Sequence, residues 1–500
     1  MLRRRVRPRA KAARAARWGS KIGGALAVTV GLAGGVTALV GSTRAAKAAP
    51  SAAKVSTAAD RKDVSITIYN QNFGLVRETR GLDLGTGQVS LDVGDVAATI
   101  QPQTVAIRAA KGDIKVLEQN YRYDLLTPST LLEKYVGKKI RAYRYNEQSG
   151  KEDGFDATLL SMAGGEPVLE LGGEITFGFP GRLAFPGVPA NLIAKPTLVW
   201  LLDSKQPKAD VEITYLAQSL NWSADYVVVV DDADAKADLT GWVTLTNQSG
   251  ASYPNATLKL VAGDVNRLNY GGYADDMRPM PSAAPATKAS FQEEGLFEYH
   301  LYTLERPTDV LQNEQKQVTL LEAKNIDVQK KLLFYGQQYW YRGQYGQVMS
   351  NQKVGVYLDI QNSQKNGLGT PLPKGVMRVY KADKSGSRQF VGEDSIDHTP
   401  KDEKLRVKMG DAFDVVGDRK QTDFKQLGQC TIETAWEIEL RNHKDTAAQV
   451  EVWEPIGGEW KIVESSQPST KKDSATFTFD VDVPANGKKT VTYRVRITYC

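Results

Sequence analysis

The sequence predicts a mostly β protein, and three observations predict it. Apolar and polar residues alternate with period two in many short runs, of which Val64-Ser65-Ile66-Thr67-Ile68-Tyr69 is the first. Glycine and asparagine clusters separate those runs at turn spacing. Helix start and stop signals coincide at one place alone, Thr127 to Gly137. With 41% hydrophobic and 24% charged residues, the 500-residue chain has the make-up of a globular protein that buries several cores.

The first 48 residues stand apart. Of 64 Lys and Arg, eleven fall here with no Asp or Glu, leaving 53 basic against 58 acidic residues, a net of −5 for the body. A basic stretch to Lys21, an uncharged stretch Ile22 to Gly41 and the small-x-small triplet Ala46-Lys47-Ala48 form an export signal over 1–48. Arg3-Arg4-Arg5 fits twin-arginine export; Pro8 and the lack of a following Phe-Leu fit the general route instead. An uncleaved anchor is the alternative, since twenty uncharged residues just span a bilayer, although six glycines weaken it. Beyond residue 48 no apolar run reaches spanning length, so no membrane span is expected in the mature chain. The location expected is periplasmic or cell-surface. A mildly acidic body lacks the concentrated basic face that nucleic-acid binding needs.

The elements follow in order. Residues 49–62 are rich in Ala, Ser and Lys and read as a flexible linker. An N-terminal β region covers 63–126. A second region, 127–205, opens with a short helix: Thr127 is its N-cap, Pro128 its first residue, Leu131, Leu132, Tyr135 and Val136 its apolar face, and Gly137 its stop. Short strands at 139–143, 155–160, 167–171 and 174–177 with glycine pairs between them predict a small barrel of the SH3 or Sm type. Longer strands begin near Ile213 and predict immunoglobulin-like β-sandwiches over 206–330 and 331–500. Three of these strands end in an Asn before a polar loop: Asn247, Asn362 and Asn442. Asn tolerates left-handed backbone and bonds its own turn, which suits such corners. The aperiodic stretch 265–292 reads as a mobile loop within the third region.

Sites of chemistry are scarce. His300, His398 and His443 are isolated, and no spacing suits a metal or a G-x-S-x-G nucleophile; neither metal nor cofactor is expected. Asp231, Asp232, Asp234 and Asp238 crowd one loop, which reads as a solvated acidic turn because Lys236 interrupts them. Glu454 and Glu459, beside Trp453 and Trp460, are the first carboxylate pair to consider for a glycan hydrolase, with a hairpin decorated by surface acids as the favoured reading. The segment 334–347 is dense in aromatics and amides. Tyr339, Trp340, Tyr341 and Tyr345 are its candidate ligand-binding residues, with packing onto the core as the competing reading. Two cysteines in an exported chain point to a Cys430–Cys500 disulfide. Strand parity points the other way, with Cys430 sharing the inward phase of Ile432 to Ile438 and Cys500 facing outward.

Residues Asn221 to Tyr226, Gly241-Trp242-Val243-Thr244-Leu245-Thr246-Asn247-Gln248-Ser249-Gly250 and Leu260-Val261-Ala262-Gly263-Asp264 resemble a bacterial domain of unknown function numbered 4139. That domain is also the C-terminal half of mucoidy-inhibitor-like proteins. Leu368 to Gly375 and the opening Ile68 to Val76 are similar as well. This chain lacks the long coiled coil of the mucoidy-inhibitor layout. The resemblance implies exported β-rich architecture and carries over no catalytic residue. Together these readings lead us to expect a non-catalytic envelope protein that acts as a scaffold or binds a cell-envelope polysaccharide or protein. An envelope glycan hydrolase is the alternative.

Overall fold

The structure is a computed structural model that describes residues 53–267 and 291–500. The expected export signal over 1–48 and most of the stretch 265–292, expected as a mobile loop, lie outside the described residues. The alternation read from the sequence is real: in Lys208–Gln218 and Leu220–Val230 every second residue is buried. Among the described residues there is one α-helix, Pro128–Tyr135, and no helix long and apolar enough to cross a membrane.

Ordered structure starts earlier than the expected linker allows. Lys54–Ser56 pairs in parallel with Gly87–Val93, and Thr57 and Asp60 cap a 3-10 turn that leads into the strand Arg61–Tyr69. Ser56 is fully buried and meets Arg80, which draws this polar segment onto the sheet.

The helix is capped as its residues predict. Thr127 Oγ1 accepts from the Thr130 amide (3.2 Å), and Thr130 Oγ1 accepts from the Thr127 amide (3.0 Å). Gly137 then takes a φ of +77°. The strands after it form an open five-stranded sheet rather than the expected barrel. Glu174–Thr176 and Arg182–Ala184 sit at its opposite edges and do not pair. The helix supplies the missing closure: Leu131, Leu132 and Tyr135 cap a small core around Ile140, Leu159 and Leu169, and Tyr135 packs on Phe185 at 5.0 Å.

Two larger cores hold the rest. The first gathers a four-stranded sheet, an eight-stranded sheet and the first half of a thirteen-stranded one around Trp200, Tyr215, Tyr226 and Tyr253. The second is the C-terminal sandwich around Trp436, Phe477, Phe479 and Tyr493. No linker separates them. Glu314–Tyr335 pairs with Lys236–Asn247 along its first part and with Met349–Gln361 and Ala448–Pro455 along its second. Lys404–Gln426 likewise serves both. The boundary expected at 330 therefore falls inside a strand.

The three Asn corners share one construction that differs from the expected one. None of the three has a positive φ. Instead each side chain is buried and ties its loop. Asn247 donates to Ala251 O and Val310 O, Asn362 to Thr370 O and Pro400 O, and Asn442 to Thr446 O and Val483 O. Each Oδ1 accepts a backbone amide in return, from Ser249, Gly369 and Lys444. Burial makes these bonds obligatory, since an unmet carbonyl there has no water to turn to.

Candidate functional site

The aromatic segment splits into buried and exposed halves. Gln338–Arg342 forms a 3-10 helix, whose tight turn sends two adjacent residues, Trp340 and Tyr341, into the core together. Trp340 packs on Trp436 (6.3 Å), and Tyr341 meets the same ring edge-on (5.8 Å). Both are largely buried, 6% and 1% exposed, so neither offers the free stacking face expected of it, although Trp340 contributes to the lining of the groove described below. Tyr345 is half-buried against Tyr339, and its amide donates to Gln421 Oε1 (2.6 Å). Of the four candidates, Tyr339 alone is exposed.

Beneath them lies a buried polar network, in which Arg419 Nε and Nη2 have no hydrogen-bond partner among the described residues. Arg419 and Glu454 form an ion pair at 2.5 Å with both side chains fully buried. Tyr341 Oη donates to Glu454 Oε2 (2.5 Å) and also meets Tyr493 Oη (2.8 Å). The guanidinium lies between the rings of Phe334 and Trp340, at 5.1 and 5.0 Å. Burial works against the charge on Arg419, yet the facing Glu454 keeps its pKa raised. Burial and Glu454 also push the Tyr341 hydroxyl far up, so it stays a donor. Glu459 stands apart, exposed at the start of Glu459–Ser465, so the two glutamates do not converge as a hydrolase pair.

The exposed half borders a groove of about 480 Å³. Tyr335 comes from the end of Glu314–Tyr335, Tyr339 from the 3-10 turn, Tyr357 from Met349–Gln361, and Lys408 and Asp411 from Lys404–Gln426. Tyr335 and Tyr357 meet edge to face at 6.2 Å, and Tyr335 leans on Trp453 at 5.7 Å. Gly355 leaves room for this: a Cβ there would stand 2.7 Å from the Tyr357 ring. The register between Met349–Gln361 and Lys404–Gln426 slips three times along this stretch. Such bulges re-aim side chains. The Asp411 carboxylate sits between Lys353 (3.7 Å) and Lys408 (3.5 Å), both loose and solvated. Pairs of that kind are worth about 0–1 kcal/mol, so the three charges are free to re-pair. Gln352 Oε1, also in the groove lining, is buried without a donor among the described residues. Stacking faces, amides and mobile charges together suit hydroxyl-rich ring compounds.

Tyr335 and Tyr357 were missed as site residues. Their signal was available for Tyr357: it is a tyrosine on the outward phase of a strand whose inward phase runs through Leu358 and Ile360.

Other sequence candidates are structural. Asp231 caps the Ala235 and Lys236 amides, and Asp234 is held by Lys330 (2.6 Å) and Lys381 (2.5 Å). No group of three or more metal-ligating residues is assembled among the described residues. His300 contacts Glu293 at 2.8 Å. His398 Nδ1 accepts from the Lys374 amide (3.2 Å), so its neutral ring carries the proton on Nε2, and the facing Asn70 amide is best oriented with its oxygen toward that proton. Burial, then Lys374, holds the His398 pKa down, which keeps the ring neutral.

Cys430 and Cys500 are disulfide-bonded, with Cα atoms 5.7 Å apart. Both lie just beyond the ends of the paired strands Thr431–Asn442 and Gly487–Thr498. Side-chain alternation no longer constrains residues outside a ladder, which is why the parity argument fails.

The sequence profile of the domain of unknown function DUF4139 matches residues 211–500. The chain belongs to the DUF4139 family. No curated protein matches it. The DUF4139 region contains the whole tyrosine groove, the buried Arg419–Glu454 network and the disulfide.

Proposed function

We propose that this DUF4139 protein is an exported, non-catalytic envelope protein that binds a cell-envelope glycan in the tyrosine groove. The observation that carries the reading is the groove itself, where Tyr335, Tyr339 and Tyr357 surround loosely paired charges and an unmatched Gln352 oxygen. Export is supported by the basic-then-uncharged N-terminal sequence and by the Cys430–Cys500 bond, which suits an oxidising compartment. A periplasmic or cell-surface position follows from that reading. The hydrolase alternative gains nothing from Glu454, whose oxygens are engaged by Arg419 and Tyr341 out of reach of any substrate.

Co-sedimentation with purified peptidoglycan and envelope polysaccharides tests the binding. Retention of the wild type on at least one polymer, reduced at least tenfold in Tyr339→Ala/Tyr357→Ala, is the expected result. Equal retention of wild type and variant, or of neither, overturns the reading. Mass analysis of the exported form tests processing: a new N-terminus after Ala48 is expected, and an intact residue 1 rules out cleavage.

A further inference from the structure

The groove does not end at Tyr357. A second cavity of about 240 Å³ shares Tyr357 and Asp411 with it and has an apolar floor of Val230, Leu358 and Met409. That cavity in turn meets a third, about 450 Å³, at Asp234 and Lys330. Three cavities thus run in series where Glu314–Tyr335 passes from the first core to the second.

Their chemistry changes along the series. The tyrosines stand at one end. At the other, Lys331 and Lys444 line the third cavity, and neither forms an ion pair among the described residues. Lys444 is half-buried, and burial first, then the charge of Lys330, holds its pKa below the ordinary ammonium value. An ammonium desolvated without a carboxylate partner is one that a bound anion would stabilise. Of the acids nearby, Asp234 pairs with Lys330 and Lys381 and Glu451 with Lys472 (3.0 Å), while Asp414 raises the Lys444 pKa through its charge but forms no ion pair with it among the described residues. Asp480 also borders this cavity, but it is exposed.

We infer that the occupant of this three-cavity cleft is a linear anionic glycan, with sugar rings on Tyr335, Tyr339 and Tyr357 and an acidic group held by Lys331 and Lys444. The inference rests on the glycan-binding reading and adds length and charge to it. Carboxylate and phosphate share the chemistry at the lysines, and the probes separate them.

The test is titration of the full chain with chitohexaose (neutral), oligogalacturonate (carboxylate), poly(glycerol phosphate) (phosphate) and oligoglutamate (anionic, without sugar rings). An anionic sugar polymer is expected to bind at least tenfold more tightly than chitohexaose. Lys331→Met/Lys444→Met should abolish that advantage while leaving chitohexaose binding and the melting temperature unchanged. Which polymer shows the advantage identifies the acidic group. If chitohexaose binds as tightly as both anionic sugars, or the lysine variant keeps the advantage, the anionic inference fails and glycan binding stands. Oligoglutamate binding as tightly as the sugars overturns the glycan assignment of the cleft. No binding by any probe overturns both.

Discussion

The two large cores each bury an ion pair, and they satisfy it in opposite ways. In the first, Glu78 lies between two guanidinium groups, Arg61 at 2.6 Å and Arg80 at 2.7 Å, with Ser56 and Ser252 taking further N–H groups. In the second, Glu454 has one guanidinium, Arg419, and its other oxygen accepts from the hydroxyl of Tyr341. The first arrangement holds one surplus positive charge on two central strands of its sheet; the second has no net charge and is fully enclosed. Redundancy is the lesson. Glu78 keeps a cationic partner if either arginine is lost, whereas Glu454 keeps none.

That asymmetry sets the largest expected effect. Arg419→Met leaves a buried carboxylate unpaired and should cost about 3–5 kcal/mol. Arg61→Met removes one of two partners and should cost about 1–3 kcal/mol, the scale of a charged hydrogen bond. Denaturant melts of both variants check the ranking; equal losses would mean the two networks are not different in kind.

Next comes the disulfide, which staples only the second core. Closing a 70-residue separation is worth about 2–4 kcal/mol. Cys430→Ser should therefore lower the unfolding midpoint of the C-terminal sandwich, read by the fluorescence of the Trp436 environment. Because Glu314–Tyr335 and Lys404–Gln426 run through both cores, the first core should follow within the same transition. A separate, unshifted transition would show that the shared strands do not couple them.

Much of this was legible in the sequence. Period-two alternation found the strands, and Thr127, Pro128 and Gly137 found the helix. The two long strands were not legible as single elements. In Lys404–Gln426 the buried positions Leu405 and Val407 resume only at Val415, after a stretch of half-buried and exposed residues in which Met409 meets the first core and Ala412 the second. Gln338–Arg342 is a 3-10 turn rather than a strand, so a period of two could not sort Trp340 and Tyr341 from Tyr339. The groove draws on three stretches, near 335–339, 351–357 and 408–411. Which strands lie side by side is set by long-range pairing and bulges, and no local pattern records it.

The Asn corners compare the same device across the two cores. Asn247→Ala and Asn442→Ala each orphan buried carbonyls, at about 1–3 kcal/mol. Asn442 has the fuller set, donating also to Pro484 O (3.1 Å). Its loss should be the greater of the two in paired thermal melts, and the reverse order would place more weight on Ser249, which also donates to Asn247 (2.8 Å).

The smallest effect concerns acid. Asp359 sits on Met349–Gln361, one of the strands near the junction, and takes two bonds from Arg406 (2.7 and 3.0 Å) and one from Lys404 (2.6 Å). Burial alone would raise its pKa; the bonds from Arg406 and Lys404 outweigh burial and hold it below the ordinary carboxylate range. A carboxylate depressed in the folded state contributes stability that is complete above its unfolded pKa of about 3.9 and is lost as pH falls through the folded value. The wild type should therefore lose stability below about pH 4, and Asp359→Asn should flatten that fall while lowering the neutral-pH plateau. Other depressed carboxylates, Asp234 and Asp418 among them, titrate in the same window, so the difference between the two proteins is what counts. Parallel curves for variant and wild type below pH 4 would remove Asp359 from the acid response.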